Sequence, residues 1–243
     1  MSVKLFSEFA SRSLTLKNRV VVSPMCQYSA SDGFANDWHM VQYGRFALGG
    51  AGLVFLEATA VEKEGRITYG DLGLWDDAHI APLKRITDFL KAQGTVPGIQ
   101  LSHAGRRASA QRPWHGAGPL GDEDRQLRQE TPWPTVRPSQ LAANSSWPAP
   151  RQLDAKDLKQ VQAAFVAAAE RAVEAGFEVL EMHCAHGYLL HQFLSPLSNV
   201  RSDEYGGDVE SRCRFPLEVC QAVREIWPKD KPLFVRVSAV DGI

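Results

Sequence analysis

The chain has 243 residues, of which 44% are hydrophobic and 23% charged, a composition typical of a folded globular protein. Its 27 basic and 28 acidic residues leave a net charge of −1, which disfavours nucleic acid or an anionic membrane as a partner. No apolar run approaches the roughly 20 residues that span a bilayer. The four cysteines show no CxxC spacing, so we expect free thiols in a reducing cytoplasm and no disulfide framework.

Five short apolar runs rich in β-branched residues recur along the chain. They cover residues 19–25, 53–61, 95–101, 177–183 and 232–239. Their apolar character is continuous and does not alternate, which is typical of strands buried on both faces of a parallel sheet.

Four stretches with helical periodicity lie between these runs, at residues 37–52, 77–94, 154–175 and 210–227. In the clearest of them, Asp154 is a predicted N-cap and Gly176 a predicted C-cap. The alternation of strands and helices predicts an α/β fold with a parallel sheet. No GxGxxG fingerprint follows the first strand, so the sequence does not predict a Rossmann dinucleotide site.

One long insertion, residues 106–151, interrupts this rhythm. It is rich in Pro, Trp and Gly. A loop of this length inside a compact domain is usually functional or disordered. Because it follows a strand, we expect it to cover the face of the sheet at the carboxyl ends of the strands.

Polar residues cluster where the predicted strands end, which is where α/β folds bind their ligands. Three of these segments are Ser23-Pro-Met-Cys-Gln-Tyr28, Gln100-Leu-Ser-His-Ala-Gly-Arg-Arg107 and Glu181-Met-His-Cys-Ala-His-Gly-Tyr188, and Arg236 lies in the fifth strand. Buried polar groups cost free energy unless they are paired. Four such sites at equivalent strand ends predict one shared polar ligand.

The segment after the fourth strand carries the clearest chemistry. Two imidazoles, His183 and His186, are able to hydrogen-bond a carbonyl oxygen and polarise it. The phenol of Tyr188, with an ordinary pKa of about 10, is able to donate a proton to carbon once electrons have arrived. Reduction of a C=C bond conjugated to a carbonyl needs these two actions.

Other interpretations of the same residues remain open at this level. His183 and His186 could bind a metal with His191, although no HExxH glutamate lies between them, or they could be core histidines. Cys26 could be an inert buried thiol. Arg236 could pair with a structural carboxylate such as Glu57 or Glu181.

Taken together, the strand-end segments resemble the Old Yellow Enzyme family of FMN-dependent ene-reductases. Cys26 and the HxxH pair are similar to the corresponding residues of the bacterial class that includes xenobiotic reductase A. Beyond the segments above, the resemblance includes Glu57-Ala-Thr-Ala60, Gly65-Arg-Ile-Thr68, Asp203-Glu-Tyr-Gly-Gly207, Arg212 and Arg214-Phe-Pro-Leu-Glu218.

The resemblance implies a TIM (β/α)8 barrel that binds FMN at the carboxyl ends of its strands and takes NADPH as reductant. The implied contacts with the flavin come from Ser23, Pro24, Met25, Cys26, Ala60, Gln100 and Arg236. The implied substrate-binding residues are Tyr28, His183 and His186, and Tyr188 is the implied proton donor. Hydride would pass from flavin N5 to the β-carbon of an α,β-unsaturated carbonyl or nitro compound.

A TIM barrel has eight strands, and the sequence predicts about five. We therefore expect residues 1–243 to form a single FMN-binding barrel domain that is incomplete at its C-terminus, completed by further chain or by a homo-oligomer. Three other functions compete with ene-reduction: reduction of xenobiotic nitro compounds or nitrate esters at the same site, metal-dependent hydrolysis on a βα barrel, and binding of a partner by a non-catalytic partial barrel.

Overall fold

The computed structural model describes residues 3–142 and 147–241. Its strands are β1 (Phe9–Ser11), β2 (Leu14–Leu16), β3 (Val21–Val22), β4 (Leu53–Ala60), β5 (Val96–Ser102), β6 (Val136–Arg137), β7 (Arg151–Gln152), β8 (Val179–Cys184) and β9 (Leu233–Val237). Its helices are α1 (Asp37–Leu48), α2 (Ile80–Ala92), α3 (Asp122–Arg128), α4 (Ala155–Glu174), α5 (Leu189–Leu194) and α6 (Val209–Ile226).

The central sheet is parallel, with the strand order β3-β4-β5-β8-β9. Every residue of β4 and β8 is buried, as continuous apolar runs predict for strands covered on both faces. The main core lies between this sheet and the outer helices and includes Phe165 of α4 and Val219 of α6. The βα repeat predicted from the sequence is therefore confirmed in the central sheet.

The two ends of the sheet differ from the prediction. The first strand, predicted over residues 19–25, pairs only at Val21 and Val22, because the chain leaves β4 after these two residues. The fifth strand is less buried than a central strand, and Val235 and Val237 are 47% and 61% exposed. The reason is its position, since β9 pairs with β8 alone among the described residues.

An N-terminal hairpin, which the sequence pattern did not predict, packs against the amino end of the sheet. Its strands β1 and β2 are antiparallel. Leu16 packs against Leu53 and Val179, the first residues of β4 and β8, in a small second core. The hairpin is tied to the segment before β9 by a hydrogen bond from the Ser13 hydroxyl to the Asp230 carbonyl oxygen at 2.8 Å.

The helix ends agree closely with the capping prediction. The Asp154 side chain accepts hydrogen bonds from the backbone N–H groups of Lys156 and Asp157, which caps α4 as expected. At its other end the C-cap is Ala175, and Gly176 follows with a φ of +84°, the left-handed conformation that glycine adopts without strain. None of the helices in residues 3–142 and 147–241 is long and apolar enough to cross a membrane.

The insertion, predicted as a loop, contains α3 and the short parallel pair β6–β7. It packs on the loop after β4, where the Trp133 indole N–H donates to the Glu64 carbonyl oxygen at 2.9 Å and the ring lies edge-on to Tyr69. Arg66 stacks on both of these aromatic rings. These contacts hold the described part of the insertion against the carboxyl ends of the strands.

Candidate functional site

A hydrogen-bonded network of three side chains crosses the carboxyl half of the sheet. The Gln100 amide donates to Glu181 Oε1 at 2.7 Å, from β5 to β8. From the other side, Arg236 of β9 donates to both Glu181 oxygens, at 2.8 and 3.3 Å. The structural partner of Arg236 is therefore Glu181 and not Glu57, the other carboxylate considered from the sequence.

The end of β8 and the turn that follows it carry His183, His186 and Tyr188. His183 lies opposite Arg236 in the sheet register. Its ring is edge-on to the rings of both His186 and Tyr188, with centroids 5.0 Å apart in each case. The structure therefore brings together the three side chains that the sequence singled out.

Burial and neighbouring positive charge keep both imidazoles neutral. The pKa of His183 falls to about 3, chiefly because the ring is buried, with further lowering by His186 and Arg236. The pKa of His186 is also lowered, first by burial and then by Arg236. The backbone N–H of Ala185 donates to His183 Nδ1 at 3.3 Å, which assigns the proton to Nε2. His183 therefore presents an Nε2–H donor.

The turn that carries these rings is held by side chains from elsewhere. His186 has a φ of +59°, a conformation that non-glycine residues rarely adopt. Its carbonyl oxygen accepts from Arg107 at 2.8 Å, and its N–H donates to the Ser238 hydroxyl at 3.1 Å. The next carbonyl, that of Gly187, accepts from the buried amide of Gln192 at 2.7 Å. These bonds stabilise a turn that the local sequence alone would not hold.

The segment after β3 forms the opposite side of the site. It is fixed by the buried carboxylate of Glu57, which accepts from the Gln27 N–H at 2.8 Å and from the Tyr43 hydroxyl at 2.9 Å. Burial raises the pKa of the Cys26 thiol, and the carboxylates of Asp71 and Glu57 raise it further. Cys26 is therefore a protonated thiol in this structure.

Ser23, Pro24 and Met25 lie between β3 and Cys26, in a segment that has left the sheet. Met25 is 47% exposed. Ala60, by contrast, is buried at the end of β4 and hydrogen-bonds through its N–H to the Leu72 carbonyl oxygen at 2.8 Å. Like Gln100 and Arg236, these residues occupy the carboxyl side of the sheet, where the sequence predicted them.

The insertion lies against Tyr28 and Tyr188. Trp114 packs edge-on against Tyr28 with ring centroids 6.1 Å apart, and the Arg112 guanidinium donates to the Tyr28 carbonyl oxygen at 3.1 Å. A cavity of about 90 Å³ lies between the insertion and the two tyrosines. Its walls include both tyrosines and several residues of the insertion, among them Arg107, Gln111, Pro113 and Trp147.

Comparison with known proteins places this geometry in a family. Residues 4–243 match the NADH:flavin oxidoreductase / NADH oxidase family. The chain belongs to this family. A NADH:flavin oxidoreductase of Gibberella zeae is 47% identical over 243 residues, which are 99% of this chain and 58% of that protein. A NADPH dehydrogenase of Geobacillus thermodenitrificans is 45% identical over 243 residues, which are 99% of this chain and 65% of that protein.

Solved structures agree. Morphinone reductase superposes with a TM-score of 0.82 at 30% identity, covering 96% of this chain and 61% of its own. An Old Yellow Enzyme from Pichia sp. AKU4542 has a TM-score of 0.82 at 29% identity, covering 96% and 59%. The resemblance to the Old Yellow Enzyme family and the TIM-barrel fold are confirmed, and this chain spans between 58% and 65% of the length of these four relatives.

The predicted cofactor, FMN, is the flavin of this family, and the donor set fits it. Gln100 uses one amide N–H on Glu181, which leaves its carbonyl oxygen and second N–H for the polar edge of a flavin. Arg236 donates two of its five N–H groups to Glu181, and the others remain for a ligand. Both side chains are thus anchored by one carboxylate while keeping unused polar groups.

The metal alternative fits less well. Across the described ranges 3–142 and 147–241, no group of three or more His, Cys, Asp or Glu side chains is arranged to hold a metal ion. His191, the third ligand in that interpretation, uses both ring nitrogens elsewhere. Nδ1 accepts the Gly187 N–H at 2.7 Å, and Nε2 lies 3.2 Å from Asp241.

Sequence reasoning missed two residues that shape the site. Asp71 is buried and accepts hydrogen bonds from the Ile67 and Thr68 N–H groups, at 2.6 and 3.1 Å, and burial raises its pKa to about 7. The Gln192 side-chain amide donates hydrogen bonds to the carbonyl oxygens of both Gly187 and Ala104. A polar residue within an apolar stretch is the signal that could have found Gln192. Asp71 lies in a polar loop and gives no such signal.

Proposed function

We propose that the protein is an NADPH-dependent flavin oxidoreductase that reduces the C=C bond of α,β-unsaturated carbonyl or nitro compounds. The observation that carries this proposal is the packing of the His186 and Tyr188 rings against the His183 ring, beside the Arg236–Glu181 pair. Two neutral hydrogen-bond donors and one phenol are what polarisation of an oxygen and protonation of a carbon require.

In this proposal the imidazoles bind the substrate through its oxygen. His183 offers Nε2–H, and its depressed pKa keeps the ring a neutral donor throughout the physiological pH range. As hydride reaches the β-carbon, negative charge develops on that oxygen. Fixed donors aimed at developing charge stabilise it more than water does, because they need no reorganisation.

Tyr188 is the proposed general acid. It lies directly before α5, and its ring contacts His183. Burial raises the pKa of its phenol, so the group is protonated and ready to donate to the α-carbon. Tyr28 lines the same cavity and is the proposed substrate contact on the opposite side.

Ser23, Pro24, Met25, Cys26, Ala60, Gln100 and Arg236 would hold the flavin, which when bound supplies the hydride. Arg236 contributes positive charge, which favours a reduced, anionic flavin. Cys26 lies among carboxylates as a protonated thiol, so its role is to adjust the flavin environment and not to attack the substrate. NADPH is the proposed reductant because a 45% identical relative is named NADPH dehydrogenase.

The test first identifies the bound flavin and then measures its reduction and reoxidation. Heat releases the bound ligand, and mass spectrometry should identify FMN and not FAD. Under anaerobic conditions, NADPH should bleach the flavin absorbance, and cyclohexenone or a nitroalkene should restore it. A reduced flavin that molecular oxygen reoxidises but neither organic acceptor does would contradict the proposal.

A further inference from the structure

Arg107 makes two contacts to the turn that bears the proposed general acid. It comes from the short 3-10 helix Gly105–Arg107 that follows β5, and Nη1 donates to the His186 carbonyl oxygen at 2.8 Å. The guanidinium carbon also lies 5.5 Å from the centroid of the Tyr188 ring. One cation therefore holds the strained residue of the turn and stacks on the phenol two residues later.

The charges around Tyr188 make this cation important. Burial is the strongest influence against a negative charge on the phenol oxygen, and the carboxylate of Asp71 adds to it. The nearest ring, that of His183, is a neutral imidazole. Arg107 is the group that lowers the pKa of Tyr188 in these surroundings.

We propose that Arg107 is a positioning residue for proton transfer, which fixes the Tyr188 turn and stabilises the tyrosinate that remains after the proton has left. The inference rests on the proposed function. In the step itself, the Tyr188 O–H bond breaks and a C–H bond forms at the α-carbon from the electron pair of the enolate. The tyrosinate then takes a proton from water.

Arg107 is exposed, so solvent screens its charge and limits the size of the effect. Three variants of the FMN-loaded protein separate charge from turn geometry. Arg107→Met removes the charge and the hydrogen bond and keeps an unbranched, flexible side chain. Arg107→Lys keeps the charge. Ser238→Ala removes the other tie to His186 and leaves the charges unchanged.

The first measurement needs no catalysis. Tyr188 is replaced by 3,5-difluorotyrosine, and its titration is followed by 19F NMR. In Arg107→Met the pKa of this phenol should be higher by about 1, Arg107→Lys should restore most of the difference, and Ser238→Ala should match the parent. An unchanged pKa in Arg107→Met overturns the inference.

The second measurement follows reoxidation of the reduced flavin by cyclohexenone, in water and in D2O. Arg107→Met should slow it several-fold and enlarge the solvent isotope effect, while phenol affinity at the histidines stays close to the parent value. Equal losses of rate and phenol affinity, as a collapsed turn would give, also overturn the inference. Failure of the unmodified protein to reduce cyclohexenone instead contradicts the proposed function.

Discussion

The two sides of the site differ in the sign of the charge around them. On the β8 side, His183 and His186 have lowered pKa values, because burial and then the cation Arg236, with Arg107 at His186, outweigh the opposing carboxylate of Glu181. On the β3 side, the pKa values of Cys26 and Tyr28 are raised. Burial is the largest cause on both sides, but the charged neighbours of the second pair are carboxylates.

This difference separates the chemical roles of the two sides. A cationic side with neutral donors suits an oxygen on which negative charge develops. An anionic side keeps a thiol and a phenol protonated, since ionising either would place a second negative charge beside Asp71 or Glu57. The contrast explains why Cys26 has the environment of a thiol that stays protonated.

The largest expected effect comes from Tyr188→Phe, which removes the acid from the cationic side. Loss of a general acid typically slows a reaction by about 10² to 10⁴-fold. Reoxidation of the reduced flavin by cyclohexenone should slow by this amount, while reduction by NADPH is largely retained. Stopped-flow absorbance separates the two half-reactions. Equal rates for the variant and the parent with cyclohexenone would remove Tyr188 from the mechanism.

His183→Ala should weaken binding of phenols and enones more than it slows flavin reduction. A hydrogen bond to a strongly polarised oxygen contributes roughly 1–3 kcal/mol, which corresponds to about 5- to 150-fold in Kd. Titration of the flavin absorbance with a simple phenol measures this loss, and His186→Ala provides the matched comparison. Unchanged phenol affinity in both variants would assign these imidazoles to the core.

Stability against pH should reveal the opposite signs of the two sides. His183 titrates near 6.5 when unfolded and at about 3 when folded, so its contribution is complete above pH 6.5 and is lost as the pH falls. Between pH 6.5 and 5 the loss is about 2 kcal/mol. The pKa of Asp71 is raised to about 7, so acidification adds stability there instead.

Thermal melts between pH 7 and 5 test this sign. Relative to the parent, His183→Gln should move the change in Tm on acidification in the stabilising direction, and Asp71→Asn should move it in the destabilising direction. The same slope in all three proteins would show that neither buried group carries the expected linkage.

The smallest expected effect concerns Cys26. In Asp71→Asn, alkylation of Cys26 by iodoacetamide at pH 9 should rise by up to about tenfold, because removing a nearby carboxylate lowers the thiol pKa. Mass spectrometry measures the rate, with Cys213, which lies on α6, as the internal reference. If Cys26 and Cys213 change by the same factor, Asp71 does not set the protonation of Cys26.

Much of this protein could be predicted from local pattern. The continuous apolar runs predicted β4, β5 and β8, because a strand that is buried on both faces needs apolar residues at successive positions. The capping residues predicted the ends of α4, because the unpaired backbone groups at a helix end need partners close by in the sequence. The polar segments at the strand ends pointed to His183, His186, Tyr188 and Arg236. The resemblance to the Old Yellow Enzyme family rests on the same segments.

Tertiary structure alone decided which polar groups meet. The Gln100–Glu181 pair spans 81 positions, and the Arg107–His186 pair spans 79. Such pairings depend on the register of a whole sheet and the path of an insertion, which no local pattern encodes. For the same reason, the sequence showed Cys26 as a thiol near a strand end but not the carboxylates that keep it protonated. Packing brings those carboxylates to it from β4 and from the loop before α2.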